Sequence, residues 1–126
     1  MSQYTGIDII EIERIQKAIA RFGERFLRRI YTEAEIELCK NRANALAVRF
    51  ACKEAVMKLL GTGRRGVCWR EIETLAHPGG KPLVNLYGAA RKCAEGLGIG
   101  EIAVSLSHSR EYAVASVISI SSETGH

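Results

Sequence analysis

Residues 43–60 read ANALAVRFACKEAVMKLL, and Gly61 follows. No other stretch constrains the fold as much. Ala, Leu, Met, Lys, Arg and Glu are strong helix formers, and a glycine just past the last turn can take the left-handed conformation that closes a helix. The segment is predicted as one long helix, Ala43 to Leu60. The whole chain has 126 residues, which suffices for one hydrophobic core and not for two. The helix is therefore expected to share a single core with whatever strands the chain supplies.

Those strands lie at both ends. Thr5 to Ile12, TGIDIIEI, is rich in β-branched residues and reads as a strand. Ile12, Ile15, Ile19 and Phe22 then recur at helical spacing as far as Gly23. Glu24 to Ile30 is a second short helical piece. Thr32 followed by Glu35 is a capping-box pattern, so another short helix should run to about Arg42. Beyond Gly61 the pattern alternates. Cys68 to Ala76 and Leu83 to Leu86 flank PGGKP and read as a hairpin, and Tyr87 to Leu97 suits a helix. Glu101 to Ser107 and Tyr112 to Ile120 read as two more strands, and Ser121 to His126 as a loose tail. The expected architecture is α+β, a single unit over 1–120 with the long helix packed on an antiparallel sheet.

Composition excludes several classes. The chain is 47% apolar and 25% charged, which suits a globular domain and not a disordered one. No apolar run is long enough to span a bilayer, and Asp8, Glu11 and Glu13 spoil a signal-peptide form. No membrane partner is expected, and a cytoplasmic location is. Cys39, Cys52, Cys68 and Cys93 are scattered, with neither zinc spacing nor a disulfide framework, and read as reduced thiols. The net charge of +4 favours an anionic partner without choosing one.

Certain residues break their local pattern. Asp8 is a carboxylate inside an isoleucine-rich strand, where it is either a solvent-face residue or a metal ligand. In the long helix Ala47, Phe50, Ala51, Glu54 and Lys58 form one stripe, and Glu54 interrupts its small and apolar character. Glu54 and Lys58 are four apart, so an ordinary helix ion pair accounts for them too. Arg49 and Lys53 are like charges four apart, either a solvated basic face or two cations with an anion between them. Gly61-Thr62-Gly63-Arg64-Arg65-Gly66 could bring backbone N–H groups to a phosphate, or be a plain cap and turn. His108, set among Ser105, Ser107 and Ser109, could bind phosphate or handle a proton, or simply be exposed.

In order, these segments resemble the holo-acyl-carrier-protein synthases, the small branch of the 4′-phosphopantetheinyl transferase superfamily. The resemblance rests on GIDIIEIERI from Gly6, RFACKEAVMKLLGTG from Arg49, WREIE from Trp69, GKP from Gly80 and SLSHSREYAVA from Ser105. It covers about Gly6 to Ile120. Cys52 departs from the small residues usual there, and the six C-terminal residues match nothing in the family pattern. The resemblance implies Mg²⁺ held by Asp8 and Glu54, a chemistry that suits a hard ion with few protein carboxylates. It makes Asp8, Glu54 and Lys58 the catalytic group, with Glu54 as the favoured base. It makes Arg49, Lys58, Gly61, Thr62, Gly63 and His108 the contacts of coenzyme A, the phosphopantetheine donor. The arginines Arg14, Arg21, Arg25, Arg28 and Arg29 would dock an acidic acyl carrier protein, and the work would serve fatty acid biosynthesis. The family fold is trimeric, so active sites are expected between subunits, with apolar residues among Ile102, Val104, Val114, Val117, Ile118 and Ile120 buried there. Two other readings compete. A basic nucleic-acid-binding module would follow a phosphate backbone with the Arg21 to Arg29 stretch and Arg64-Arg65, but the few aromatics are not interleaved with the basic residues in a stacking pattern, so no nucleic acid is expected. A non-catalytic scaffold would not need both Asp8 and Glu54.

Overall fold

The computed structural model describes residues 2–62 and 66–121. Strand β1 (Ser2–Glu11) opens the chain and leads into four helices, α1 (Ile12–Phe22), α2 (Glu24–Ile30), α3 (Glu33–Cys39) and α4 (Ala43–Leu60). A 3₁₀ turn at Trp69–Glu71 precedes β2 (Ile72–Ala76), then β3 (Pro82–Leu86), α5 (Gly88–Gly96), β4 (Ala103–His108) and β5 (Tyr112–Ser121). The strands form an antiparallel three-stranded sheet ordered β1-β5-β4 and a separate β2-β3 hairpin. The architecture is α+β as expected, with two sheets where one was anticipated.

Local chemistry sets the boundaries. Thr32 caps α3 by accepting from the Glu35 N–H, and the Glu35 side chain accepts from the Thr32 N–H. Helix α4 spans the residues the sequence predicts and ends at Gly61, whose φ of 77° is the left-handed value a side chain would resist. Several expected boundaries move, and two strands start three residues or more from the expected position. β1 starts at Ser2 instead of Thr5, because β5 pairs with it along its whole length. The segment from Cys68 becomes a strand only at Ile72, because Trp69–Glu71 first makes a tight turn.

Helix α4 is the centre of the molecule. It lies across β1 and β5, and Ala47, Ala51 and Ala55 on one of its stripes are fully buried. Ala113 and Ala115 on β5 are likewise fully buried. Small residues on both sides let helix and sheet approach closely. The approach is tightest at Gly6, where a Cβ would run into the Ala55 carbonyl and crowd the Leu59 N–H. On the inner face of β1, Gly6, Asp8 and Ile10 are paired with Val117, Ala115 and Ala113 of β5. Alternation therefore turns Asp8 toward α4 and sends Ile7 and Ile9 to the opposite face, where they are 62% and 63% exposed. Ile118 and Ile120 are also exposed, whereas Ile102 and Val117 are buried within the chain. Ser121, expected in the tail, is the buried last residue of β5, and its hydroxyl donates to the Leu97 carbonyl. The tail proper, 122–126, lies outside the described residues, as do Gly63, Arg64 and Arg65.

Candidate active site

Asp8 and Lys58 meet where β1 passes under the C-terminal half of α4. Lys58 Nζ lies 3.0 Å from Asp8 Oδ1 and donates a second bond, also 3.0 Å, to the Ile7 carbonyl. The pair sits at the surface, with the Asp8 side chain mostly covered and that of Lys58 more than half exposed. Lys58 is therefore joined to the strand, where the sequence equally allowed an intrahelical pairing. Glu54 is one helical turn before Lys58, on the same side of α4, and is half-buried. Gly61 caps the helix just beyond, and Thr62 follows, half-buried. The structure thus brings Asp8, Glu54, Lys58, Gly61 and Thr62 to one end of α4, and Gly63 lies outside the described residues.

Among the described residues no three His, Cys, Asp or Glu side chains gather into a cage that could hold a metal alone. The residues fit a hard divalent cation with few protein ligands. Asp8 and Glu54 offer carboxylate oxygens, and water or a phosphorylated substrate would complete the coordination. The negative end of the α4 dipole at Gly61 adds to the attraction for a cation.

His108 lies at the other end of the helix. It shares a sheet rung with Ala113 and Ile10, on the α4 side, and its Nε2 is 3.2 Å from Asn44 Nδ2. A cleft of about 720 Å³ opens there, lined by residues that include Gln16, Arg42, Asn44, His108 and Arg110. From Asn44 to Lys58 the helix rises about 20 Å, so one chain holds the His108 cleft and the Asp8–Lys58 pair well apart. Arg49 lies about two and a half turns before Lys58, on the opposite side of the helix. It donates to the Thr74 carbonyl (3.0 Å) and the Ala45 carbonyl (3.2 Å), tying β2 to α4.

Lys53, grouped with Arg49 as a solvated or anion-binding pair, is neither. It is fully buried. Its ammonium donates to Glu35 Oε1 at 2.8 Å, to the Trp69 carbonyl at 3.1 Å and to the Ile72 carbonyl. Glu35 Oε2 in turn accepts from the Thr74 N–H at 2.8 Å. Burial pushes the Lys53 ammonium below lysine's ordinary value, against the opposing pull of the Glu35 carboxylate. Spacing alone could not reveal this pair.

The arginines of α1 and α2 are all exposed. Arg21 lies over the Phe22 ring, with its guanidinium carbon 5.2 Å from the centroid. Arg25 and Arg29 edge a groove of about 430 Å³ with Phe22, Phe26, Phe50 and Trp69, in which Phe50 and Trp69 stack at 4.9 Å. Arg28 differs, because Glu24 (2.9 Å) and Glu33 (2.6 Å) already neutralise it.

Comparison with known proteins places the chain in a family. Residues 4–117 match the family model of the 4′-phosphopantetheinyl transferase superfamily. The holo-[acyl-carrier-protein] synthase of Dehalococcoides mccartyi (strain CBDB1) is 57% identical over 115 residues, covering 91% of this chain and 96% of that one. The synthase of Koribacter versatilis (strain Ellin345) is 53% identical over 118 residues, covering 90% and 94%. Among solved structures, Helicobacter pylori holo-[acyl-carrier-protein] synthase in complex with coenzyme A superposes with a TM-score of 0.84 at 33% identity, over 92% of this chain and 99% of that one. The chain belongs to the 4′-phosphopantetheinyl transferase superfamily, and within it to the holo-[acyl-carrier-protein] synthases.

Proposed function

We propose that this chain transfers the 4′-phosphopantetheine group of coenzyme A to a serine hydroxyl of an apo-acyl carrier protein, releasing adenosine 3′,5′-bisphosphate. The observation that carries the reading is the convergence of Asp8, Glu54 and Lys58 at one end of α4, in a chain whose relatives are holo-[acyl-carrier-protein] synthases. The serine oxygen forms a bond to the phosphorus that carries pantetheine, and the bond from that phosphorus to the bridging pyrophosphate oxygen breaks. Glu54 takes the serine proton. Lys58, held by Asp8 and the Ile7 carbonyl, places its charge where the bridging oxygen becomes a leaving group. Asp8 and Glu54 would hold Mg²⁺, which when bound offsets negative charge developing on the phosphate. Lys58, Gly61, Thr62 and Gly63 serve the pyrophosphate end of coenzyme A.

Arg49 lies in the N-terminal half of α4 and His108 on β4 beside it, about 13 Å and about 20 Å along the helix axis from Lys58, so within one chain neither lies against the Asp8–Lys58 pair. A neighbouring copy would bring its own half of the pocket beside Asp8. The outer face of the β1-β5-β4 sheet supports such an assembly, because Ile7, Ile9, Ile118 and Ile120 are exposed on it together. A trimer with shared sites meets both requirements. All four cysteines are free thiols, which suits a cytoplasmic enzyme. The product would serve fatty acid biosynthesis.

The test is mass spectrometry of apo-carrier protein incubated with this protein, coenzyme A and Mg²⁺. The expected result is a mass gain of one phosphopantetheine on the carrier, absent when coenzyme A is omitted. An unchanged carrier mass would sink the reading.

A further inference from the structure

Helix α4 has no apolar stripe that would fix how it is turned about its own axis. Ala55, Val56 and Met57 are consecutive and all buried, and so are Leu46, Ala47 and Val48. At about 100° per residue the two triplets together point to every side of the axis, so apolar burial surrounds the helix. Rotating it by one residue would still bury apolar side chains, yet would swing Glu54 and Lys58 about 100° away from β1. Something other than apolar burial must select the rotation.

Two contacts do so from opposite sides. On the sheet side, Gly6 meets Ala55. On the hairpin side stands Lys53, the one lysine among the described residues with no exposed surface. An ammonium has three N–H donors, and here each has its own acceptor: Glu35 Oε1, the Trp69 carbonyl and the Ile72 carbonyl. Glu35 is fixed independently, by the Thr32 N–H at 2.9 Å and the Thr74 N–H at 2.8 Å. Trp69 is held a second time by stacking on Phe50, one turn before Lys53 on the same helix. An unpaired ammonium could not remain in this interior, so only one rotation of α4 satisfies Lys53. The next residue in the chain is Glu54.

We infer that Lys53, locked by Glu35 and the Trp69 and Ile72 carbonyls, is a positioning residue for the reaction. It sets the rotation of α4 and thereby delivers Glu54 and Lys58 to Asp8. This rests on the proposed roles of Glu54 and Lys58. It adds that the buried pair acts through them and not only through stability.

The experiment compares wild type, Lys53→Met, and the double variant Glu35→Leu with Lys53→Met, whose apolar pair can replace buried charges without loss of stability. Each is measured for thermal midpoint, for the emission of Trp69, the only tryptophan, and for separate kinetics with coenzyme A and carrier protein. The expected double variant folds with a midpoint at or near that of wild type, and its altered tryptophan emission reports the lost lock. Its kcat falls about tenfold or more, as small misplacements of reacting groups do. Its KM for coenzyme A rises while its KM for carrier protein holds, because the docking arginines lie on α1 and α2. A merely smaller active fraction would move neither KM. A folded double variant with wild-type kcat and both KM values unchanged overturns the inference. Failure of both variants to fold assigns the pair to stability alone and overturns it as well. Wild type run in parallel separates the two questions, since a wild type that transfers nothing counts against the proposed function instead.

Discussion

Gly6 on β1 and Ala55 on α4 touch backbone to backbone, so closely that no side chain fits between them. Asp8 lies two residues along on the same face of β1, and Lys58 three residues along on α4. The geometry of the site therefore depends on a position that carries no side chain. Gly6→Ala should force helix and strand apart and cost about 1–3 kcal/mol, as overpacking does. Denaturant unfolding measures the loss. Turnover should fall further than the unfolded fraction explains, and an unchanged unfolding midpoint would refute the contact.

Asp8→Ala and Glu54→Ala should each lower turnover about a hundredfold, equivalent to about 3 kcal/mol of lost transition-state stabilisation. The fold should survive, because Asp8 and Glu54 are not core residues and Lys58, left behind by Asp8→Ala, is well exposed and can be hydrated. Circular dichroism beside a transfer assay checks both halves. Full activity of both variants in Mg²⁺ would remove the carboxylates from the mechanism.

Replacing Arg14, Arg21 and Arg25 with Glu should raise the KM for carrier protein at least about tenfold and leave the KM for coenzyme A nearly unchanged. Wild-type association should weaken with salt. Arg28→Ala should do far less, because Glu24 and Glu33 already engage that guanidinium. Steady-state kinetics for each substrate distinguish the cases. An effect of Arg28→Ala as large as that of the triple replacement would mean that the intrachain pairs do not persist in solution.

Ile7→Glu together with Ile118→Glu should leave the inner core intact, since both side chains are on the outer face of the sheet. If wild type forms the proposed trimer, light scattering should then report a monomer for the variant, and activity should fall with the assembly. A fully active dilute monomer would rule out shared sites.

Acid should loosen the β2–β3 hairpin through Glu73. Burial pushes its carboxyl up, but bonds donated by Thr32, Tyr87 and Asn85 outweigh this and hold it below the ordinary value of 4.5. A carboxyl depressed in the folded state stabilises above its unfolded pKa and loses that contribution as pH falls through its folded one. Wild type should therefore lose stability below about pH 4.5 more steeply than Glu73→Gln. Parallel acid titrations followed by circular dichroism would show it, and identical slopes would not fit.

Much of this was legible in the sequence because it is local. The extent of α4, its Gly61 cap and the Thr32–Glu35 box depend on neighbouring residues. Asp8 and Glu54 were visible as carboxylates out of place in apolar runs. What could not be read depends on partners far along the chain. Lys53 looks like any helix lysine until Glu35 and Ile72 close round it. Arg28 is the exception, because Glu24 and Glu33 stand only four and five residues away and helix spacing carries that signal. Trp69 was assigned to a strand because nothing local shows that its carbonyl is held by Lys53.

The register of β1 with β5 governs how the chain is made. Ser2 pairs with Ser121 and Glu11 with Tyr112, so among the described strands β1 is synthesised well before β5, its partner. Until then the helices can form, but β1 has no neighbour in the sheet, and Ile7 and Ile9 remain beside an open edge. Contacts this distant in sequence slow folding, and open apolar edges invite association between chains. The nascent protein should depend on chaperone protection until β5 emerges, and truncation within β5 should yield aggregates in place of a smaller folded unit.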